Sequence, residues 1–236
     1  MILLILGYGK MGRSIEKLAL EKGYEVLTAD NAEERNGYLG KHIDVAIEFS
    51  QPDAAFGNIE FCLRNNIPVV SGTTGWLDQK PEIDKICIET EGTFFYASNY
   101  SLGVNLFFAL NKYLSRLMEP FDQYDVSMEE IHHTEKKDSP SGTAITLAEG
   151  IIESLSRKSK WEEDSEGPDT INIHSIREGA VPGTHSVTYS SSLDEIEIKH
   201  TAKTRESFAK GALVVAEWVV GKKGVLDMND FLPNLI

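Results

Sequence analysis

Two adjacent histidines, His132 and His133, stand in the stretch from Glu129 to Ala144, which reads Glu-Glu-Ile-His-His-Thr-Glu-Lys-Lys-Asp-Ser-Pro-Ser-Gly-Thr-Ala. An imidazole changes charge near neutral pH and can deliver a proton there. Lys136 adds fixed positive charge, and Ser141-Gly142-Thr143 reads as a helix start whose backbone N–H groups attract anions. Such a segment can hold an anion and protonate it. No metal centre is expected, because neighbours on an extended strand cannot both aim at one ion and no third ligand stands at a useful spacing. His42, His174, His185 and His200 read as structural, Lys137 as solvated, and Asp138 as fixing the turn before the helix.

The segment needs elements to position it. Along Tyr124 to Glu130 apolar residues alternate with polar ones, as on a half-buried strand, and that strand ends by delivering the histidines. A helix is predicted from near Pro140 through Ile145, Leu147, Ala148, Ile151 and Ile152. A helix from about Gly103 to Met118 precedes it. Thr170 to Glu178, Thr184 to Ser192 and Glu195 to Ala202 read as further strands, with turns at Val181-Pro182-Gly183 and Leu193-Asp194. Lys160 to Pro168, charged and ending in Gly-Pro, reads as a loop.

The first hundred residues follow a different pattern. Ile2 to Leu6 is a continuous apolar run, as in a strand buried on both faces of a parallel sheet. It enters Gly7-Tyr8-Gly9-Lys10-Met11-Gly12, a helix with Met11, Ile15, Leu18 and Ala19 on one face, and a second strand from Tyr24 to Ala29 ending at Asp30. Glycines there permit a tight turn and close approach to a pyrophosphate at the helix N-terminus, and an acid at the second strand's end can accept from ribose hydroxyls. Asp30 taken alone also reads as a turn residue. Strand-and-helix units recur at Val45 to Phe49 with Pro52, at Ile67 to Ser71 before Gly72-Thr73-Thr74-Gly75, and at Thr93 to Ala97 before Ser98-Asn99-Tyr100-Ser101, while Asn31 to Lys41 reads as an abbreviated crossover. Alternating units imply a doubly wound parallel sheet, so Gly72, Thr73 and Thr74, and Ala97, Ser98, Asn99 and Tyr100, should face a dinucleotide at the strands' carboxyl ends. Each loop taken alone also reads as ordinary turn chemistry.

Composition bounds the partners. The 236 residues are 41% hydrophobic and 25% charged, ordinary for a globular chain with a real core. Against 37 acidic side chains stand 23 basic ones, a formal charge of -14, which excludes broad nucleic-acid binding. An anionic ligand must therefore meet locally clustered positive charge. Cys62 and Cys87 lack metal-like spacing and read as reduced thiols, consistent with a cytoplasmic location. The apolar start is too short for a signal-peptide core, and Ala212 to Val220, the nearest approach to a membrane span, is short and holds Glu217.

Over nearly its whole length the chain resembles the dihydrodipicolinate reductases of bacterial diaminopimelate and lysine synthesis. The resemblance rests on the glycine turn ending Lys-Met-Gly, on Glu48-Phe49-Ser50-Gln51-Pro52, Gly72-Thr73-Thr74-Gly75 and Ala97-Ser98-Asn99-Tyr100-Ser101, above all on Glu130 to Ala144, and on His200-Thr201-Ala202, Arg205, Phe208 and Leu226-Asp227-Met228. It implies an α/β fold: a Rossmann-like doubly wound parallel sheet in residues 1–101 and 213–236, plus an α+β substrate-binding and oligomerisation domain with a mixed open sheet in residues 102–212. It implies hydride transfer from NADH or NADPH to a small dicarboxylate, hydroxy-tetrahydrodipicolinate, in a homotetramer whose two domains close around the ligands. His132 falls on the family's general acid, assisted by Lys136, and His133, Ser141, Gly142, Thr143 and Arg205 fall on its substrate contacts.

The chain departs from the family in three places. The glycine turn is one residue shorter than in many members. Thr134 and Glu135 replace a common Arg-His pair, leaving the site less cationic. Asn31 rather than a basic residue follows Asp30, which favours NADH or tolerance of both cofactors, because no cation awaits a 2'-phosphate. An amino-acid dehydrogenase would share the first hundred residues without needing the His-His-x-x-Lys motif, and a non-catalytic dinucleotide sensor could lose the proton donors.

Overall fold

Every residue of Ile2–Leu6 is apolar because both faces of that strand are covered: Leu3 and Ile5 point into one core, Leu4 and Leu6 into another. In the computed structural model, which describes residues 1–165, 167–204 and 206–235, this strand (β1) lies inside a six-stranded, all-parallel sheet. In chain order the elements are α1 (Lys10–Glu21), β2 (Glu25–Ala29), α2 (Ala32–Asn36), β3 (Val45–Glu48), α3 (Pro52–Arg64), β4 (Val69–Ser71), α4 (Lys80–Glu89), β5 (Thr93–Tyr96), α5 (Leu102–Met118), β6 (Asp125–His132), α6 (Gly142–Ile152), β7 (Lys160–Glu163), β8 (Thr170–Arg177), β9 (Thr184–Ser190), β10 (Glu195–Thr201), α7 (Glu206–Val219), β11 (Gly224–Leu226) and α8 (Met228–Phe231). Arg205, expected at the substrate, lies outside the described residues.

The chain forms two compact units, one from Met1–Leu102 with the stretch beginning at Glu206, the other between them from Gly103. In the first unit the sheet order is β11-β5-β4-β3-β1-β2. α1 and α7 cover one face through Ile15, Ala19, Val215 and Val219, while α3 and α4 cover the other through Ile59, Cys62, Ile83 and Cys87. This is the doubly wound arrangement expected from the alternation of elements. Both cysteines are free and fully buried, and burial pushes both thiols up from their ordinary pKa. The predicted short crossover is α2, capped by the Asn31 side chain accepting from Glu34 N at 3.0 Å.

The second unit carries a mixed sheet, β10-β9-β6-β8-β7, in which β9 runs antiparallel to both β10 and β6 while β6, β8 and β7 are parallel. One face packs Val126, Met128, Ile171, Ile173, Val187 and Tyr189 against Phe107 of α5 and Leu147, Ala148 and Ile151 of α6. The supposed loop Lys160 to Pro168 begins as a strand, β7. It escapes a pattern reading because it is an edge strand whose Lys160 and Glu162 pair with each other at 2.8 Å, and charge is what blunts such an edge.

Within the first unit, α7 passes so close to the loop after β5 that a Cβ on Gly211 would lie 1.7 Å from the Tyr100 carbonyl oxygen. A Gly211→Ala variant should lose about 2–3 kcal/mol of stability through forced backbone displacement, measurable by urea unfolding. Wild-type stability in that variant would contradict this helix placement.

Candidate functional site

The period of β6 decides what its last residues can meet. Val126, Met128, Glu130 and His132 alternate onto the buried face, so Glu130 and His132 share a side and His133 turns to the other. His133 lines an open hollow of about 400 Å³ with Thr134, Glu135, Gly179, Ala180 and Pro182. The neighbouring strands add partners by register: β9 sets His185 opposite Glu130, and β8 sets Arg177 opposite His132.

The result is a buried polar cluster around one carboxylate. Glu130 is fully buried and accepts from Ser141 N at 3.1 Å on both oxygens and from the Arg177 guanidinium at 3.0 Å. Desolvation alone would raise its pKa, but the nearby His185 imidazole and hydrogen bonds from Ser141 and Arg177 hold it well below the usual carboxylate range. Its Oε2 lies 3.6 Å from His132 Nδ1 and 3.6 Å from His185 Nε2, and the two imidazoles meet edge-on with centroids 5.0 Å apart. Burial, reinforced by His185, Lys136 and Arg177, pushes His132 down to about 4 despite the opposing pull of Glu130. The expected near-neutral titration is therefore not found: at pH 7 this imidazole is neutral.

The helix starts where expected, and of Ser141, Gly142 and Thr143 the first is engaged within the protein. Ser141 caps α6, its Oγ accepting from Ala144 N at 3.2 Å and lying 3.0 Å from His185 Nε2, while its own N–H is taken by Glu130. Ser141 is therefore engaged inside the protein. The N–H groups of Gly142 and Thr143 have no acceptor among the described residues, and a Cβ on Gly142 would meet nothing within 4 Å. These two are the donors left open to an anion. Lys136 pairs with Asp138 at 2.6 Å, and the Asp138 carbonyl accepts from Arg177 at 2.7 Å.

Sequence reasoning passed over His185, Arg177 and Glu130 as site members. The available signal was the alternation of β6 alone; the partners come from strand register. Glu130, His132 and His185 form, among the described residues, the one cluster whose ligand atoms lie within 4.8 Å of one another as a metal site requires. The carboxylate is already neutralised by Arg177 and two N–H contacts, with Lys136 close by, so the local charge suits an anion better than a cation.

The expected dinucleotide residues gather at the carboxyl ends of the first unit's strands. Gly7 takes φ +94°, and a Cβ there would strike the Phe49 carbonyl at 2.2 Å, so only glycine makes this turn. Gly9 caps α1 without a side chain and with open space beyond it, so the helix start at Lys10, Met11 and Gly12 presents bare backbone. That cradle fits a pyrophosphate. Asp30 Oδ1 accepts from Tyr8 N at 3.0 Å. Glu48, buried at the end of β3, is a further residue that sequence reasoning left unassigned: it accepts from Ser50 N at 3.0 Å, Ser71 Oγ at 2.6 Å and Thr73 Oγ1 at 2.8 Å, tying the loop holding Gly72, Thr73 and Thr74 to β3. Tyr100 is buried with its hydroxyl on the Ser71 carbonyl at 2.6 Å, and Ala97 is also buried, so these two brace the strand ends; Asn99 accepts from Ser101 N at 2.9 Å.

Models of two families cover the chain: "Dihydrodipicolinate reductase, N-terminus" matches residues 1–100 and "Dihydrodipicolinate reductase, C-terminus" residues 103–232. The 4-hydroxy-tetrahydrodipicolinate reductase of Christiangramia forsetii is 50% identical over 98% of this chain and 97% of its own. That of Methanoregula boonei is 35% identical over 95% and 94%. Among solved structures, a dipicolinate-bound dihydrodipicolinate reductase from Paenisporosarcina sp. TG-14 superposes with a TM-score of 0.79 at 22% identity, over 96% of this chain and 97% of that one.

The depressed pKa of His132 makes stability depend on pH. The unfolded chain takes up the proton first, so the contribution of this group is complete above about 6.5 and is lost as pH falls toward about 4. Between pH 7.5 and 4.5 the wild type should lose on the order of 2 kcal/mol more than His132→Gln in urea unfolding. Equal losses would mean that His132 is not held neutral.

Proposed function

The chain belongs to the dihydrodipicolinate reductase family, and from that membership we propose how its own residues carry out the reaction. The enzyme reduces 4-hydroxy-tetrahydrodipicolinate to tetrahydrodipicolinate with a pyridine nucleotide, in diaminopimelate and lysine biosynthesis. The dihydronicotinamide supplies a hydride. The balance needs one proton besides and releases one water, so the chain's chemical task is to hold a dicarboxylate and deliver that proton.

A buried imidazole beside open helix-start donors and a lysine is the observation that carries the assignment of roles. Gly142 and Thr143 N–H receive one substrate carboxylate, supported by the end of the helix dipole. Lys136 exchanges its exposed partner Asp138 for the substrate, and His133 contributes from the neighbouring hollow. An incoming dianion raises the proton affinity of His132, which becomes charged where it can act as the acid. Ser141 supports this cradle from within. A sensor without catalysis would have no use for a buried proton donor facing an anion site.

In the first unit, Gly7 to Gly12 would hold the pyrophosphate of the cofactor, and Asp30 would accept from its ribose hydroxyls. Glu34 accepts from Asp30 N at 2.9 Å and Glu33 shares the first turn of α2, so a 2'-phosphate would meet carboxylates, which supports NADH as the preferred cofactor. No helix among the described residues is long and apolar enough to cross a membrane. The reading includes a cytoplasmic homotetramer, supported by the second unit's polar sheet face, where Ser127, Glu129, Asn172, His174, Ser186, Thr188, Glu195 and Glu197 line a shared surface.

The test mixes the protein with freshly generated 4-hydroxy-tetrahydrodipicolinate and follows oxidation of NADH and NADPH separately. Turnover is expected with a KM for NADH no higher than that for NADPH. His132→Gln should lower kcat by roughly 10²- to 10⁴-fold. Lys136→Ala should raise the KM for the dicarboxylate. Normal turnover by His132→Gln would remove its role as acid, and a far lower KM for NADPH would overturn the cofactor preference.

A further inference from the structure

A proton donor that can lose either of two protons needs one of them held. His132 Nδ1 is buried and has no hydrogen-bond partner among the described residues. Glu130 Oε2 lies 3.6 Å away, beyond hydrogen-bond length but within strong charge coupling. That oxygen cannot drift off, since Ser141 N binds both carboxylate oxygens and Arg177 binds the other one. On the opposite ring edge, a Cβ at position 183 would lie 3.0 Å from Nε2, so a glycine there spares that nitrogen a crowding side chain.

We propose that Glu130 is a positioning residue for the proton donor: its Oε2 receives the Nδ1–H of His132, leaving the Nε2–H as the proton the ring gives away. The inference rests on the role of His132 given above and adds which nitrogen acts and what fixes it. An orienting carboxylate of this kind sets the tautomer and stabilises the imidazolium without itself taking the proton. On transfer, Nε2–H breaks, the substrate gains H⁺, and neutral His132 retains its proton on Nδ1. The ring's other charged or titratable neighbours are His185 from β9, Arg177 from β8 and Lys136 from the following loop; both cations disfavour the imidazolium, so Glu130 alone favours it. His185, 3.6 Å from the same oxygen, helps hold the carboxylate between the two rings.

The deciding measurement uses the intact protein labelled with ¹⁵N-histidine, with the His132 signals assigned by their loss in His132→Gln. At pH 7.5 the ring should be the neutral tautomer protonated on Nδ1, and saturating pyridine-2,6-dicarboxylate should protonate both nitrogens. A ring protonated on Nε2 with a bare Nδ1 would overturn the proposal, and no variant of Glu130 is needed to see it. Glu130→Gln should lower kcat about 10²-fold and move the basic limb of its pH profile down by about one unit, with the KM for NADH changed less than about twofold. An unshifted profile with wild-type kcat would also refute it. Wild-type protein that shows the Nδ1 tautomer yet fails to oxidise NADH or NADPH would count against the reductase reading, whereas an active enzyme with the Nε2 tautomer counts against the positioning alone.

Discussion

The second unit is built around a buried negative charge. Glu130 takes a guanidinium from β8, a backbone N–H from the start of α6 and the edge of an imidazole from β9. Removing one partner of such a group leaves an uncompensated buried charge, at a cost of about 3–5 kcal/mol. The carboxylate thereby fixes three elements relative to β6. It also explains the local electrostatics: the cluster's cations are balanced at its centre, while Lys136 and two helix-start N–H groups remain at its rim.

The two units each bury a glutamate but satisfy it differently. Glu48 is met by hydroxyls and a backbone N–H of neighbouring loops, so it ties strand ends together without a cation. Glu130 is met by Arg177 and lies beside two histidines, so its network is charged and holds ionisable partners. Hydrogen bonding to hydroxyls suits a scaffold; ionisable partners suit proton chemistry. The same residue type is thus held by neutral partners in one unit and by charged and ionisable ones in the other.

Local pattern made most of the framework legible. The run Ile2 to Leu6 announces a strand covered on both sides, Gly7 to Gly12 announces a turn into a helix, and the alternation from Tyr124 fixes which face of β6 holds His132. The rest depended on pairing. Nothing in one sequence says that His185 stands opposite Glu130 or that Arg177 stands opposite His132, because register is set by distant strands. Ser141 was legible as part of a helix start but not as a donor to Glu130, since that bond depends on where α6 begins over β6. β7 was hidden by its charges, which suit an edge as well as they suit a loop. The titration of His132 could not be read at all, because burial is a property of the assembled layer.

The buried thiols have a practical consequence. Cys62 and Cys87 lie in one core cluster with their thiols held protonated, so neither offers a thiolate to a maleimide while the chain is folded. The folded chain should therefore be silent toward thiol-directed dyes. Single cysteines introduced on the surface of either unit would report alone, so ligand binding can be followed by fluorescence without first removing any native sulfur.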